Sequence, residues 1–512
     1  MNPPPPSFGY ADVGVLKKYT CDAVIVGAGA GGGAVAKVLS EFGLNVLVIE
    51  SGPKQSRFRP NYAHTAKYHM QEGGSMVAKG STFMPIAAGK GIGGSTLINS
   101  ALCFKAPDTV LNNWSGILKD ERWSANELMP LFEQTARYIG VSKTPKSIAG
   151  KNNDLIVKGI KSLGYNGGLA PRSTPRCVGC GICYYGCPSG GKNSVNFNFL
   201  SDAHKAGCQI QAEVHITEIH TKTKNNKTYA SGVAGKSIDP ETGKATGRIE
   251  VEAQWVILSA GAIGTPRLLH QAGLSNLLGP AVGSGLHVHP GSTLIGISDE
   301  KIEMWKGATQ GAYYHPPNMP GVLPHTFSAP PEACLVAGGF LGDSFQEGLS
   351  LLPHLCGMLA MVSDKGTGSV GVRSDGRAKI SYHFAQDDVD RIKQGLVSVS
   401  KVLLSGGAKD LRAPIHGVGI INDPEELEKA LKKTSIQDFT LYAAHPMASC
   451  RMGNTIEHSV TSSTGETHGC NNLIIADASV FPTSLGVNPQ LSTMVSATNI
   501  ALMLINRIEA TQ

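Results

Sequence analysis

The sequence is poor in charged residues. They make up only 16% of the 512 positions, and the formal net charge at pH 7 is +6. No run of lysine and arginine is long enough to form a nucleic-acid footprint, because the basic residues are spread along the chain. The densest basic patch, residues 222–227, mixes lysine with threonine and asparagine, as solvated turns do. We therefore do not expect nucleic acid as a partner.

Long apolar runs are missing as well. No stretch approaches the ~20 apolar residues that a helix needs to span a bilayer. The run Met1-Asn2-Pro3-Pro4-Pro5-Pro6 has no basic region followed by an apolar core, so it does not resemble a signal peptide. We expect a cytoplasmic protein whose contact with a membrane, where there is any, is peripheral.

Glycine, in contrast, is abundant, with 62 residues, and 41% of the chain is hydrophobic. A chain of 512 residues exceeds the size of one hydrophobic core, so two domains or one elaborated domain are expected. Many glycines and few charges favour turns and close backbone approach over a salt-bridged surface. The composition indicates a loop-rich α/β protein.

The most informative glycines, Gly27, Gly29 and Gly32, follow the apolar stretch 23–26. Glycines at these spacings allow a tight turn from strand to helix, let the backbone approach a pyrophosphate, and direct a helix N-terminus at its negative charge. A second apolar stretch ends at Glu50, where the ribose of a dinucleotide needs a hydrogen-bond acceptor. The pattern predicts a β-α-β unit that binds a dinucleotide, without saying which one.

Further along, the pattern predicts that the chain returns to this first sheet. A second glycine-rich turn occupies residues 89–96, and strands are indicated at 209–221 and 249–259. Thr265 and Pro266 have the residue types of a helix cap and a first helical position. Later segments predict a hairpin, an amphipathic helix, a short strand and a final helix, at residues 368–384, 386–404, 473–476 and 492–507.

Four of the 11 cysteines lie close together in the sequence. Cys177, Cys180, Cys183 and Cys187 have the spacing C-x2-C-x2-C-x3-C-P, which is that of bacterial ferredoxins. Thiolates at these intervals can hold an iron–sulfur cluster from one loop. In two-cluster ferredoxins, however, the fourth cysteine serves the other cluster, and no second run is present. The spacing leaves an iron–sulfur cluster, a zinc site, a local disulfide and buried thiols open.

Together these motifs resemble those of the glucose-methanol-choline (GMC) flavoprotein oxidoreductases, nearly end to end. The resemblance rests on the first glycine motif and on segments 89–99, 261–269, 282–290 and the C-terminal block. Within the family, three segments look most like the long-chain fatty alcohol oxidase branch, namely His287-Val288-His289-Pro290, Ser449-Cys450-Arg451-Met452-Gly453 and residues 477–483.

The resemblance implies a Rossmann-like, discontinuous FAD-binding domain of the GMC and p-hydroxybenzoate hydroxylase kind, and an α+β substrate-binding domain on an antiparallel sheet. It places the FAD-binding domain at residues 15–105, 195–290 and 440–512, the substrate-binding domain at 291–439, and a connecting segment with the cysteine loop 177–187 at 106–194. The residues implied to bind FAD are Gly27, Gly29, Gly32, Glu50, Gly93, Gly94, Ser95, Asn99, Val214, Asp477, Pro489 and Gln490.

Alcohol oxidation needs a base for the hydroxyl proton and a hydrogen-bond donor beside the developing alkoxide. His445 occupies the family's catalytic histidine position, and Asn488 occupies the second catalytic position, which is His or Asn in relatives. The resemblance therefore implies FAD-dependent oxidation of a primary or hydrophobic alcohol, with His445 as base. The electron acceptor would be oxygen, a quinone or a redox protein. We expect His287 and His289 to be structural residues near the domain boundary.

Two other functions are compatible with these motifs. A lyase similar to the family's hydroxynitrile lyases would keep FAD without net oxidation. A redox sensor or electron carrier would be built around the cysteine loop, and a cluster there would favour a dehydrogenase over an oxidase because it relays single electrons.

Overall fold

The computed structural model describes residues 4–54, 58–413 and 415–511. Within these ranges the strands are β1 (Leu16–Val26), β2 (Val46–Ile49), β3 (Val77–Gly80), β4 (Met84–Pro85), β5 (Ser142–Lys143), β6 (Asn166–Leu169), β7 (Pro171–Arg172), β8 (Gln209–Gln211), β9 (Val214–Lys224), β10 (Lys227–Ile238), β11 (Ala245–Leu258), β12 (Ser284–Leu286), β13 (Gly291–Ile297), β14 (Ala312–His315), β15 (Val322–Thr326), β16 (Leu355–Val362), β17 (Thr367–Val372), β18 (Ala378–His383), β19 (Asp410–Arg412), β20 (Ile420–Ile421) and β21 (Leu473–Ile475). The α-helices are α1 (Ala30–Glu41), α2 (Tyr62–His69), α3 (Asp108–Leu118), α4 (Ala125–Tyr138), α5 (Lys146–Ala149), α6 (Lys151–Ser162), α7 (Phe199–Lys205), α8 (Gly261–Gln271), α9 (Ser275–Leu278), α10 (Pro331–Ala337), α11 (Phe345–Leu351), α12 (Gln386–Gly406), α13 (Pro424–Lys432) and α14 (Gln490–Glu509).

The first sheet contains the predicted β-α-β unit. β1 pairs in parallel with β2 and β11, and β2 pairs in parallel with β8. The antiparallel hairpin β9–β10 extends the sheet along one half of β11, and β21 pairs in parallel with the other half. The residues of β2 are all buried, as expected for a parallel strand covered on both faces. Segments from both ends of the chain thus meet at the carboxyl ends of β1, β2 and β21.

The second large sheet is antiparallel, with the strand order β20-β19-β13-β16-β15-β14-β6. Helix α12 packs against β13, β15 and β16 on one face of this sheet. Together the two large sheets confirm the predicted class, an α/β FAD-binding fold with an antiparallel second domain. The domain boundaries remain a prediction, and β6 adds a strand from the segment 106–194 to the second sheet.

Local predictions in the second domain are confirmed. Strands β17 and β18 form the predicted hairpin, which turns at Gly376 with φ of 81°. The amphipathic helix α12 ends against Gly407, whose φ of 125° is a conformation that glycine adopts without strain.

The prediction that α8 begins at Thr265 and Pro266 is wrong, because the helix starts at Gly261. The Asp477 carboxylate accepts hydrogen bonds from the Gly261 amide at 2.8 Å and from Thr265 Oγ1 at 2.6 Å, so a distant residue caps the helix. Pro266 lies inside it and has no N–H for the carbonyl four residues earlier. The hydroxyl of Ser449 donates to that carbonyl, Ala262 O, at 2.5 Å and replaces the missing bond.

The last helix, α14, is an exception to the expectation that no segment approaches the length and composition of a membrane span. Among the described residues, α14 has the length and composition of a membrane span, and the mean hydropathy of its apolar window is 1.2. Of that apolar window, 72% is buried inside the protein. It packs against α1 and α4, so its apolar surface is used in the core.

Candidate active site and cofactor cradle

Two glycine-rich loops meet at the ends of β1 and β2. A Cβ on Gly32 would collide with the carbonyl oxygen of Gly27, so α1 can approach β1 only with glycine at that position. The Gly93 amide donates to Ala28 O at 2.9 Å, and a Cβ on Gly94 would lie 2.7 Å from Gly29 Cα. The loops therefore form one cradle of bare backbone at the N-terminus of α1.

Glu50 closes one end of this cradle. Its side chain is buried, and the carboxylate accepts hydrogen bonds from the amides of Ala28 at 2.9 Å, Gly52 at 2.7 Å and Gly91 at 3.1 Å. Oε1 also accepts from the Ser51 hydroxyl at 3.4 Å, whereas Oε2 accepts only from Ala28 among the described residues, so Oε2 has a position available for a ribose hydroxyl. Val214 lies beside it, with its amide donating to Glu50 O at 3.0 Å.

At the other end of the cradle, Asn99 and Gln490 meet at the N-terminus of α14. Asn99 Nδ2 donates to Gln490 Oε1 at 2.5 Å. The Ser95 hydroxyl accepts from the Gly89 amide at 2.9 Å and so holds the second glycine loop closed. Pro489 is the residue immediately before the first residue of α14. The sequence-predicted residues of this end are thus brought together from both ends of the chain.

Asp477, also predicted to bind FAD, uses its side chain within the protein. Its carboxylate accepts hydrogen bonds from the amides of Gly261 and Ser479 and from the Thr265 hydroxyl, so its side chain caps helices. Its backbone still borders the cradle, because a Cβ on Gly31 would collide with the carbonyl oxygen of Ala476. The glycine contacts, the buried carboxylate of Glu50 and the two helix N-termini together fit FAD.

His445 and Asn488 form a polar pair beside the Asn99 end of the cradle. Asn488 Nδ2 lies 3.1 Å from His445 Nε2, and Asn488 Oδ1 is buried without a hydrogen-bond partner among the described residues. His445 is half-buried. Burial lowers the pKa of His445 well below 6.5, and the neighbouring His289 and His325 lower it further. His445 is therefore neutral at pH 7, the state that a base requires.

His289, which we expected to be a structural residue near the domain boundary, contacts the predicted base. The Nδ1 atoms of His289 and His445 lie 3.4 Å apart. The Gly486 amide donates to His289 Nε2 at 2.9 Å and holds the ring in place. His289 has a left-handed backbone, with φ of 51°, which is strained for a residue other than glycine.

Asp364, at the end of β16, secures this strained turn. Its buried carboxylate accepts from the amides of Val288 at 2.9 Å and His289 at 3.3 Å, and lies 3.4 Å from His287 Nδ1. Burial raises the pKa of Asp364, but the hydrogen bond and charge of His287 outweigh it, so the pKa is lowered overall. Nothing in the local sequence marks Asp364 as a site residue, because it approaches His289 from the second domain.

Replacing Asp364 by Asn should destabilise the protein and disturb the site. The change leaves buried donors without a charged acceptor, and loss of one partner of a buried pair costs about 3–5 kcal/mol. We expect a melting temperature lower by several degrees in thermal unfolding and slower reduction of the flavin by alcohols. The matched control is Asp387→Asn, because the Asp387 side chain is 49% exposed. An Asp364→Asn protein as stable as this control would contradict the assignment.

The structure gives no support to an iron–sulfur cluster at the cysteine loop. Cys177, Cys180, Cys183 and Cys187 are free thiols. Within residues 4–54, 58–413 and 415–511, no group of three or more His, Cys, Asp or Glu side chains is placed to hold a metal ion. Cys180 is exposed, whereas Cys183 is buried and accepts a hydrogen bond from Arg172 at 3.4 Å, so the thiols face different surroundings.

Two buried cations connect the cysteine loop to the cofactor cradle. Lys192 Nζ donates to Leu97 O at 2.7 Å and Asn99 O at 2.8 Å, and Arg172 Nε donates to Ser100 O at 2.9 Å. Burial lowers the pKa of Lys192 to about 8. The loop thus supports the backbone of residues 97–100, a role that the cysteine spacing does not indicate.

Sequence and structure comparisons agree with this architecture. Two family models described as GMC oxidoreductase match residues 66–291 and 364–497. An uncharacterised GMC-type oxidoreductase of Mycobacterium tuberculosis, Rv0492c, is 30% identical over 493 residues, which cover 95% of this chain and 76% of that protein. The long-chain-alcohol oxidase FAO4A of Arabidopsis thaliana is 29% identical over 547 residues, with coverage of 96% and 69%.

Solved structures share the fold at lower identity. Pyridoxine 4-oxidase from Mesorbium loti superposes with a TM-score of 0.71 at 17% identity, covering 95% of this chain and 99% of that one. Formate oxidase from Aspergillus oryzae, a structure concerned with FAD modification, superposes with a TM-score of 0.71 at 17% identity and coverage of 96% and 99%. These matches, together with the glycine cradle and the two large sheets, show that the chain belongs to the GMC oxidoreductase family and is an FAD-dependent oxidoreductase acting on CH–OH donors.

Proposed function

We propose that the protein oxidises a primary or otherwise hydrophobic alcohol, with His445 as the base and Asn488 as the partner of the substrate oxygen. The observation that carries this proposal is the contact of 3.1 Å between His445 Nε2 and Asn488 Nδ2 beside the cofactor cradle. FAD, when bound, accepts the hydride from the carbinol carbon. His445 takes the hydroxyl proton, and the amide of Asn488 holds the oxygen as its negative charge grows.

The preference for an apolar substrate is supported by the apolar cluster that reaches this pair, since Val487, next to Asn488 in the chain, belongs to it. Leu323, Leu359 and Met361 of the second domain are buried in the same apolar cluster as Phe104 and Val487 of the cofactor side. An apolar wall beside a few polar groups is the usual composition of a small-molecule site. Relatives named long-chain-alcohol oxidases point the same way.

Anaerobic titration with alcohols tests the proposal. Flavin absorbance should bleach on addition of a hydrophobic alcohol, and the corresponding aldehyde or ketone should form in equal amount. A lyase of the same fold would leave the flavin oxidised, and that outcome would refute the oxidation. The electron acceptor is then identified by adding air, a quinone or a redox protein to the reduced enzyme. The compound that restores the flavin absorbance is the acceptor.

The pH dependence should show a base with a depressed pKa. Burial lowers the pKa of His445 well below 6.5, so the ring stays neutral as the pH falls to 6.5 and becomes protonated only at lower pH. We expect kcat/KM for anaerobic flavin reduction to stay level down to pH 6.5 and to decline below it. His289, His325 and Asp364 set this electrostatic environment. An acid limb centred at or above pH 6.5 would contradict His445 as the base.

A further inference from the structure

One face of the second-domain sheet packs toward the cofactor domain. Along β15, Leu323 and His325 share this face, since alternate residues of a strand point the same way. The strand register sets Leu323 opposite Met361 and His325 opposite Leu359 on β16. Leu323, Leu359 and Met361 lie in the apolar cluster of the cofactor domain, whereas the opposite face packs against α12. We call Leu323, His325, Leu359 and Met361 the roof.

His325 is the polar member of the roof. Its side chain is only 1% exposed, and Nδ1 lies 3.3 Å from Nε2 of Gln310. With the Gln310 amide donating to Nδ1, neutral His325 carries its proton on Nε2. That atom is buried and has no hydrogen-bond partner in the described part of the chain. Burial lowers the pKa of His325 to about 4, although the backbone of Thr326 and His325 acts in the opposite direction, so the ring is neutral at pH 7. Its Nε2–H is then a buried donor without a hydrogen-bond partner among the described residues.

The roof lies near His445, because Met361 pairs with Gly291, two residues from His289, whose ring contacts His445. In agreement with this placement, a positive charge on His325 would lower the pKa of His445. A buried donor without a partner costs free energy, and native proteins keep few of them. A single polar group in an otherwise apolar wall is typical of a residue that orients a ligand and sets specificity.

We propose that His325 is a specificity-determining residue whose Nε2–H binds a second oxygen atom of the substrate. The preferred alcohols then have an apolar body and an acceptor oxygen, as an ether, carbonyl or hydroxyl group, close to the reacting carbinol. This inference rests on the proposed oxidation of hydrophobic alcohols. A plain alkanol leaves the donor unpaired, and sites built to hydrogen-bond a substrate discriminate strongly against analogues that lack the partner.

The test compares two alcohols of matched length, nonan-1-ol and 2-hexyloxyethanol, which differ by one methylene exchanged for an ether oxygen. The measured quantity is the ratio of kcat/KM for anaerobic flavin reduction. We expect the FAD-loaded native protein to prefer the ether alcohol by at least about tenfold. His325→Leu should bring the ratio close to one, and His325→Gln, which keeps a donor, should restore part of it. Val322→Ala, in the same strand but outside the roof, is the control and should leave the ratio unchanged.

The outcomes separate the inference from the function on which it rests. Equal kcat/KM for both alcohols in the native protein overturns the role of His325, even where His325→Leu does not fold. A ratio that survives in His325→Leu overturns it as well. A flavin that neither alcohol reduces overturns the proposed oxidation, and the role of His325 with it.

Discussion

Replacement of His445 by Ala is expected to yield a yellow, FAD-containing protein. Alcohols should reduce its flavin about 10²–10⁴ times more slowly than they reduce the flavin of the native protein. The imidazole is the neutral group placed to take the hydroxyl proton, and Asn488, at 3.1 Å from its Nε2, has no basic nitrogen to replace it. FAD binding should persist, because the cradle is built from Gly27, Gly94 and Glu50 rather than from His445. Rapid mixing with an alcohol in the absence of oxygen measures the rate directly.

The control for this change is His458→Ala, because His458 is exposed. It should keep the flavin content and the rate of bleaching of the native protein. Unchanged bleaching in the His445→Ala protein would refute its role as base. Loss of FAD in that protein would show instead that His445 holds the cofactor site together.

Replacement of Gly32 by Ala is expected to abolish FAD binding. The added Cβ would collide with the carbonyl oxygen of Gly27, so the strand-to-helix turn must open. Because Gly93 donates to Ala28 O at 2.9 Å, the displacement passes to the second glycine loop as well. The purified protein should be colourless, with little absorbance at the flavin band.

A matched helical glycine separates this effect from a general intolerance of alanine. Gly116 lies in α3, and a Cβ there would meet no atom within 4 Å. Gly116→Ala should retain full FAD content and gain about 0.4–1 kcal/mol of stability, since alanine loses less backbone entropy on folding. A yellow Gly32→Ala protein with native FAD affinity would contradict the close approach at the turn.

Elements with strong local signals were predictable from the sequence. The glycine spacing and the apolar stretch 23–26 identified the β-α-β unit, and period-two alternation with Asp375-Gly376 identified the hairpin. The start of α8 was not predictable, because its cap comes from Asp477 and the bond missing at Pro266 is replaced by Ser449. Local residue types cannot reveal a cap that is supplied by a residue far along the chain.

The cysteine loop is a second example of a structure that local sequence does not predict. A ferredoxin-like spacing determines only how far apart four thiols lie along the chain, not whether they converge. Arg172 and Lys192, both buried, take up positions around Cys183 and connect the loop to residues 97–100. The motif therefore left several arrangements open, and the structure shows free thiols at the four positions.

The sequence by itself predicted the cofactor side of this protein, namely the glycine loops and Glu50, because a dinucleotide imposes short-range spacing that is visible in one chain. His445 and Asn488 were implied by the resemblance of their segments to the family. Only the tertiary structure decided what surrounds the base. His289 reaches His445 through a strained turn held by Asp364, and His325 approaches from β15 of the other domain. These contacts arise from the packing of two sheets against each other, and side chains brought together in that way leave no periodic signal in the sequence.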